Sequence, residues 1–551
     1  MSEKSKKDAL HFIEHETQFH LGFLPTEQSN PLTKNLDRDF AESAEKGVRT
    51  LQRVDRNVLE MVKRVFAGEP FRELKETIVK TMERGGKVVF SGCGATGRLS
   101  ILLECMWRDA VKRGVIPAKY ADSVFSIMTG GDFALIRSVE FFEDYAGFGA
   151  RQVSDLGMTS NDTLVAITEG GETSSVLGTV AEALKRKCRV FLLFNNPADL
   201  LAEHIERSRA AIRNAGVRVL DLSCGPMALA GSTRMQATTS EQFVAGAALE
   251  SAAYHFAGKE APDYASLFET LLKELESEKC VKSIADYILF EADVYRKEGK
   301  ITYFADRFLL DVFTDTTERS PTFMLPPFRR SDDHDSPRSW AFVKNPLYST
   351  EETWKRGMNR PLRCLDWNSE DLASMGAPED VASRPPKISA PDMLKILIGN
   401  EDPAERCSGK EDSAVLVSVC GVSQELRNAY DRCSEGFHRK HELDLLSCGL
   451  DSVKAETPLE LMRHMAIKLL LNTISTGTMA VLGRITGNWM SWVDCTNKKL
   501  LDRGTRLISE IGGLDYRESC IRLFEAMEIL ASEKTNGEKV SAVQYVLNHL
   551  K

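Results

Sequence analysis

The sequence lacks the features that mark disulfide-linked, metal-binding and membrane proteins. Its 12 cysteines are scattered over 551 residues, with no C-x-x-C pair and no Cys/His cluster at ligand spacing, so we expect buried or incidental thiols in a reducing compartment. No apolar run reaches the roughly 18 residues that span a bilayer, and the opening MSEKSKKDALHF has no apolar signal-peptide core. These absences predict a cytoplasmic protein without a metal or cofactor.

Positive charge is also in deficit. The 71 lysines and arginines are outnumbered by 80 aspartates and glutamates, which gives a net charge of −9. This balance argues against a nucleic-acid or anionic-membrane partner, although local basic pockets remain compatible with it. The length itself predicts about two to four domains.

One glycine-rich stretch organises the first half of the chain. Val88–Ser100 reads VVFSGCGATGRLS, a short buried strand followed by a turn rich in glycine and a helix start. Backbone N–H groups at a helix N-terminus are unpaired within the helix and favour an anion, and Thr96 could add a hydroxyl donor. A plain strand-to-helix turn fits the same pattern. Gly92, Gly94 and Gly97 fit the G-x-G-x-x-G spacing, but this motif alone is a weak signal, and a dinucleotide site is disfavoured.

Strands alternate with helical segments on both sides of that stretch. This alternation predicts an α/β fold with a doubly wound parallel sheet, whose ligands bind at the carboxyl ends of the strands. The other predicted strands of this unit are Val124–Thr129, Asp162–Ile167, Arg189–Phe194 and Val217–Leu222. A helix is expected to begin at Asp132 and run through Asp144.

A second α/β unit is predicted further along the chain. Ile301–Phe304 and Ala414–Val419 read as its strands, but the loop after Phe304 has no glycine and is therefore expected to lack a phosphate site. The predicted organisation is an N-terminal helical segment over 1–60, a first α/β domain over 61–275, a second over 276–500 with a loop insertion at 326–412, and a C-terminal helical domain over 501–551.

A further anion motif precedes a predicted helix. Gly231–Arg234 places two hydroxyls and a guanidinium just before that helix, a combination that suits a phosphate. A Ser/Thr helix cap beside an exposed arginine explains the same residues.

Three stretches together resemble a known family. GCGATGR, GPMALAGSTRM and LLLNTISTGTMAVLGRITGNWMSWVDCTNKKL are similar to the sugar isomerase (SIS) family, in the branch that holds the N-acetylmuramic acid 6-phosphate etherases and the glucokinase regulatory protein. The resemblance implies two fused flavodoxin-like SIS units that bind a phosphorylated sugar. It also implies site residues in the loops of the first unit: Gly94, Ala95, Thr96, Gly97, Arg98, Gly170, Gly171, Thr173, Ser174, Ser232, Thr233 and Arg234.

The resemblance implies a site shared by the two units. The family's first acid/base glutamate is replaced by Met106 in the first unit, whereas DTTERSPTF in the second unit places Glu318 on that position. The second family carboxylate falls on Glu143, with Glu140 one helical turn earlier. The family's T-N-x-K-L segment is also present and supplies Asn497 and Lys499.

The chain departs from the family pattern at several positions. Gly170 stands where the etherases have a serine, and Gln236 where the family has a lysine. Glu169 and Glu172 add negative charge near the expected dianion, which is unfavourable unless they point away or bind sugar hydroxyls. The favoured interpretation is that they are solvated loop carboxylates.

The sequence leaves two functions in contention. The fused architecture favours a hexose-phosphate-responsive regulator with a sugar kinase as partner. The alternative is a carbon–oxygen lyase that releases lactate from a phosphorylated amino sugar, with Glu143 and Glu318 as its acid and base. An aldose–ketose isomerase is less favoured, because the first unit has no clear His or Lys constellation, and a purely structural role is least favoured.

Overall fold

Two separate parallel β-sheets form the framework of the chain. The computed structural model describes residues 3–402, 404–532 and 539–550. The first sheet has the order β2-β1-β3-β4-β5, and its strands are β1 (Val88–Gly92), β2 (Val124–Met128), β3 (Thr163–Ile167), β4 (Arg189–Phe194) and β5 (Val217–Asp221). All of its pairings are parallel. This is the flavodoxin-like order, so the predicted α/β class and all five strands are confirmed.

The second sheet has four parallel strands in the order β7-β6-β8-β9. They are β6 (Ile301–Phe304), β7 (Ala341–Lys344), β8 (Ser413–Ser418) and β9 (Arg439–Asp444). The interpretation of 326–412 as a loop insertion is wrong in part, because β7 lies inside it. The sequence did not predict β9 either: its residues, RKHELD, are mostly charged, as is common on an exposed edge strand.

Helices cover both sheets and both ends of the chain. They are α1 (Glu3–His15), α2 (Leu36–Glu42), α3 (Ala44–Gln52), α4 (Asp55–Ala67), α5 (Glu69–Glu83), α6 (Ala95–Lys112), α7 (Ala146–Asp155), α8 (Ser174–Lys185), α9 (Ala198–His204), α10 (Glu206–Ile212), α11 (Gln236–Phe256), α12 (Tyr264–Leu275), α13 (Glu278–Arg296), α14 (Leu309–Phe323), α15 (Thr350–Met358), α16 (Ser369–Ser374), α17 (Glu379–Ala382), α18 (Ala390–Leu394), α19 (Gln424–Cys433), α20 (Leu461–Val481), α21 (Lys498–Gly512), α22 (Tyr516–Ser532) and α23 (Ala542–His549).

Two central helices hold the units together. α11 and α20 are apolar or small on nearly every side, and almost all of their residues are buried, as expected for helices enclosed by other elements. They contact each other, and α14 of the second unit packs on both α20 and α6. The second unit is thereby brought against the first glycine loop.

The prediction of a helix from Asp132 to Asp144 is wrong. The structure has two short 3-10 turns there, Asp132–Leu135 and Glu140–Asp144. The Asp132 backbone N–H donates to Arg363 O at 3.1 Å, and its carboxylate accepts two bonds from Arg360 at 2.6 and 2.9 Å. These contacts with the second unit determine the backbone conformation of this segment. The periodicity of the local sequence contains no information about them.

The described helices include none long and apolar enough to cross a bilayer. Within the same residues, no group of three or more His, Cys, Asp or Glu side chains is arranged to hold a metal ion.

Candidate functional site

A cleft of about 570 Å³ opens between the two units at the carboxyl ends of β1 and β3. Its walls come from the three loops of the first unit, from the end of α14, and from the segment before α21. Seven cationic side chains line it against four acidic ones. The cations are Arg98, Arg137, Arg234, Arg329, Lys499, Arg503 and Lys539, and the acids are Glu143, Glu169, Glu318 and Asp494.

The first loop turns tightly from β1 into α6. Gly94 precedes the helix with φ +57°, a left-handed conformation that favours glycine. Gly94, Ala95 and Arg98 face the cleft. Thr96 is fully buried, and its hydroxyl accepts from Cys93 N at 2.9 Å and donates to Cys93 O at 2.8 Å. The only hydroxyl proton of Thr96 is therefore used inside the loop, so this residue shapes the loop instead of donating to a ligand.

Gly97 has a packing role behind the same loop. A side chain there would meet Met128 Sδ at 2.4 Å and Gly92 O at 3.0 Å. Gly97 is absent from the cleft wall, so it permits the close approach of α6 to β1 and leaves ligand contacts to its neighbours.

The second loop presents Thr173 and Glu169 to the cleft. The Thr168 hydroxyl lies 3.0 Å from that of Thr173. Gly171 is buried with φ +81°, and its carbonyl accepts from Ser208 at 2.8 Å. Gly170 and Gly171 therefore form the turn behind Thr173, and Ser174 begins α8; these three predicted residues are not part of the cleft wall.

The interpretation of Glu169 and Glu172 as solvated carboxylates is wrong. Glu172 is buried and lies 3.8 Å from Lys499 Nζ. Glu169 is half-buried, and burial raises its pKa to about 7. The C-terminal segment that carries Lys499 lies against this loop, where its ammonium group is close to Glu172.

The third loop contributes three adjacent residues to the cleft. Ser232, Thr233 and Arg234 all line it, as the resemblance implies. Gly231, with φ +82°, lies against Arg503, whose side chain a β-carbon there would meet at 2.7 Å. Gln236, which replaces the family lysine, donates from Nε2 to Pro226 O at 3.1 Å and thus helps to shape this loop.

Buried charges from both units meet at the centre of the cleft. Glu318 Oε1 lies 3.7 Å from Arg98 Nη1, and Glu318 Oε2 lies 3.7 Å from Arg234 Nε. All three side chains are at most 5% exposed. Arg98 Nε, Arg234 Nε, Arg234 Nη1 and Glu318 Oε1 have no hydrogen-bond partner in the described part of the chain. Burial raises the pKa of Glu318 more than Arg98 and Arg234 lower it.

Arg98 is held by a residue that the sequence did not indicate. Its Nη2 donates to the Ser138 hydroxyl at 2.8 Å. Ser138 and the adjacent Arg137 lie on the segment after β2 and line the cleft. No motif marks this segment, and only its position after a strand could have suggested it.

A buried network of hydrogen bonds from the second unit holds Arg234 in place. Asp315 binds Arg234 and also accepts from Asn472 at 2.9 Å and from Ser475 at 2.8 Å. Burial opposes ionisation of Asp315, but Arg319 and Arg234 outweigh it and lower the pKa of the carboxyl.

Lys468 of α20 supports the same loop. Its Nζ donates to Arg234 O at 3.1 Å, to Thr239 Oγ1 at 2.9 Å and to Asn472 Oδ1 at 2.9 Å. Burial lowers the pKa of Lys468 to about 8. Sequence reasoning did not identify Lys468, because it lies in the other unit and its helix reads as plain core.

A second polar cluster closes the other side of the cleft. Glu143 Oε1 accepts from Asn497 Nδ2 at 2.8 Å, and Glu143 Oε2 lies 3.4 Å from Lys499 Nζ. Burial lowers the pKa of Lys499, but Glu143 and Glu172 outweigh it and the pKa is raised. Glu140 begins the same 3-10 turn as Glu143; its side chain lies outside the part of the chain that the structure describes.

The corresponding edge of the second unit is built differently. A smaller cleft of about 230 Å³ lies there, and four of its charged or titratable side chains form two pairs. Arg307 pairs with Glu460, and Asp311 lies 2.9 Å from His464. Phe308, with φ +61°, occupies the turn before α14, where the first unit has Gly94.

Comparisons with known proteins agree with this architecture. Residues 72–184 match the model of the glucokinase regulatory protein N-terminal SIS domain. The chain is 29% identical over 225 residues to N-acetylmuramic acid 6-phosphate etherase 1 of Bacillus licheniformis, a match that covers 41% of this chain and 67% of the relative. It is 27% identical over 227 residues to the etherase of Pectobacterium atrosepticum, with the same coverage.

Among solved structures, the tagatose-6-phosphate ketose/aldose isomerase of Escherichia coli aligns over 79% of this chain and 94% of its own, at 10% identity and a TM-score of 0.39. The family model therefore identifies a SIS domain in the first unit, over residues 72–184. The chain is similar to proteins of the branch that holds the etherases and the glucokinase regulatory protein.

Proposed function

We propose that the chain binds a phosphorylated sugar in the cleft between its two units and acts as a hexose-phosphate-responsive regulator. The observation that carries this proposal is the set of unpartnered guanidinium nitrogens on Arg98 and Arg234. Both side chains are 2% exposed, and a buried guanidinium with free N–H groups is suited to a phosphate. The N-terminus of α6 and the Ser232 hydroxyl add donors at the same place.

The opposite side of the cleft suits the sugar. Carboxylates accept strongly from hydroxyl groups, and Glu318 and Glu143 reach the cleft from different units. Asn497 and Lys499 add donors beside Glu143. A sugar phosphate held in this way would contact both units at once, so its binding would favour one arrangement of the units over others.

A regulatory role draws further support from the family model that matches and from the two fused units. In this proposal the partner is a sugar kinase, whose binding to the chain would depend on whether the cleft is occupied.

Titration of the full chain with fructose 6-phosphate tests the binding proposal. We expect one site per chain, because the second unit pairs its own charges and has no glycine at the corresponding turn. Ser232→Ala is expected to weaken binding by about 1.5–3 kcal/mol, the value of a hydrogen bond to a charged group. Isothermal titration calorimetry measures both quantities. Two equal sites, or an unchanged affinity in Ser232→Ala, would contradict the proposal.

The second candidate is an etherase-type carbon–oxygen lyase. Two observations favour it: both family carboxylates, Glu143 and Glu318, line one cleft, and the pKa of Glu318 is raised by burial. A carboxyl group that holds its proton at higher pH is better suited to protonate a leaving oxygen. The relatives named above also carry etherase names.

Lactate release from N-acetylmuramic acid 6-phosphate separates the two candidates. A lyase would release lactate, and Glu143→Gln or Glu318→Gln would reduce the rate by about 10²–10⁴-fold because glutamine keeps the shape but transfers no proton. A regulator would release none, and the same variants would change only sugar-phosphate affinity. Lactate release that survives both substitutions would contradict both candidates, since neither would then explain the acid and base.

A further inference from the structure

A small cavity beside edge strand β7 is lined by more cationic than acidic side chains. It lies between segments 329–339 and 397–406 and has a volume of about 70 Å³, several times the roughly 10–15 Å³ that one water needs. Four cationic side chains and two acidic ones line it: Arg329, Arg338, Lys344, Arg406, Asp402 and Glu405.

Lys344 brings an almost fully buried ammonium group to this cavity. It is the last residue of β7 and is 2% exposed. Its Nζ donates to Leu397 O at 2.9 Å. Among the described residues, the carboxylate oxygen nearest to Nζ is Glu401 Oε2, at 4.0 Å. Burial lowers the pKa of Lys344 to about 8, and the distant Glu401 carboxylate raises it too little to compensate.

Arg406 adds a second buried cation whose contacts are all with uncharged groups. It is 7% exposed. Its nitrogens donate to Thr302 Oγ1 at 3.2 Å, to Ser339 O at 2.7 Å and to Ile301 O at 2.9 Å. The described part of the chain gives it no carboxylate within 4.0 Å. These bonds fix the guanidinium in place and leave its charge unneutralised.

The acids that line the cavity are already engaged. Glu405 pairs with Arg329, and Asp402 Oδ1 accepts from the backbone N–H of Ala404 at 2.9 Å. Arg338 lies 3.8 Å from Asp412. Neither Lys344 nor Arg406 therefore has a carboxylate within hydrogen-bond distance, and a buried charge without a close partner is costly.

We propose that this cavity is a binding site for a small inorganic oxyanion of the phosphate and sulfate class, held between Lys344 and Arg406. A tetrahedral anion would bring negative charge within hydrogen-bond distance of both side chains and accept their remaining N–H groups. The cavity is about one-eighth the volume of the cleft between the units, so a bare oxyanion suits it better than a sugar phosphate does. The site is separate from that cleft, although Arg329 lines both.

Calorimetric titration of the full chain with inorganic phosphate, in a chloride buffer, tests the site. The cleft between the units is itself proposed to bind a phosphoryl group. The titration therefore uses the Arg98→Met protein, in which the cleft lacks one of the arginines proposed to bind that phosphoryl group. We expect this protein still to bind phosphate, and sulfate to compete. Adding Lys344→Met should weaken phosphate binding by about tenfold or more, as expected for a lost charged hydrogen bond.

Two control variants distinguish a direct effect on the cavity from a general effect of lost positive charge or of misfolding on phosphate affinity. Lys355→Met removes one exposed lysine of α15 and should leave phosphate affinity unchanged. Arg338→Gln removes a cation at the half-buried rim of the cavity and should also weaken binding, so the test does not depend on Lys344→Met remaining folded. If the Arg98→Met protein binds no phosphate, or if Lys344→Met and Arg338→Gln leave its affinity unchanged, the proposal is wrong.

Discussion

Replacing Arg234 by methionine is expected to weaken fructose 6-phosphate binding by about 100-fold. Arg234 presents Nε and Nη1 without a partner at the centre of the cleft and is 2% exposed. Removing one member of a buried charge pair costs about 2–5 kcal/mol, and each 1.4 kcal/mol corresponds to tenfold in affinity. Methionine keeps a long side chain in place, so the main loss is the guanidinium. Isothermal titration calorimetry measures the change.

The control for Arg234→Met is Arg108→Met. Arg108 pairs with Glu104 at 2.9 Å and with Asp122 at 2.9 Å and is absent from the cleft wall. The Arg108→Met variant should therefore bind sugar phosphate with unchanged affinity. If Arg234→Met binds fructose 6-phosphate as tightly as Arg108→Met does, Arg234 has no part in the site.

Glu104→Gln is expected to reduce the free energy of unfolding by about 3–5 kcal/mol. Glu104 is completely buried in α6 and binds Arg360 and Arg363 of the second unit as well as the Ser126 hydroxyl at 2.7 Å. Glutamine keeps the shape and removes a fully buried carboxylate that Arg108, Arg360 and Arg363 share, although Arg360 keeps its bonds to Asp132. Urea denaturation followed by circular dichroism measures the loss.

Asp122→Asn is the matched control for Glu104→Gln. Asp122 pairs with Arg108, as Glu104 does, but its side chain is 80% exposed. Exposed ion pairs contribute about 0–1 kcal/mol, so this variant should be nearly as stable as the unchanged chain. Equal stability of the two variants would show that the Glu104 network does not join the units.

Local sequence patterns are sufficient to predict the strands of the first sheet. Its strands are short apolar runs bounded by turns, and all five were predicted close to their observed bounds. β7 was missed because four residues, AFVK, stand within a stretch rich in proline and serine. The segment from Asp132 to Asp144 was misassigned because its backbone follows contacts with Arg360 and Arg363, more than 200 residues away in the chain.

The candidate site was predictable where one motif carries the chemistry. Ser232, Thr233 and Arg234 are adjacent in the chain and adjacent in the cleft. Arg137 is not predictable because it belongs to no motif. Lys468 is not predictable because it lies in a helix whose sequence is typical of a buried core helix. The roles of Thr96 and Gly97 also depend on what lies behind the loop, and local sequence gives no information about that side.

The juxtaposition of Glu318 with the first glycine loop explains how two unlike units can form one site. Glu318 lies 3.7 Å from Arg98, although 220 positions separate them in the sequence. Met106 in α6 lines the smaller cleft of the second unit, where a glutamate would be its counterpart. In the proposed site, each unit therefore contributes a different part.

Crystals of the full chain grown with fructose 6-phosphate would locate the phosphorus atom and so test whether the two units form one sugar-phosphate site. We expect one bound sugar phosphate per chain, with its phosphoryl group between the N-terminus of α6, Ser232 and Arg234, and its sugar against Glu318. A phosphoryl group bound instead at the turn before α14, or a sugar that contacts only one unit, would contradict it.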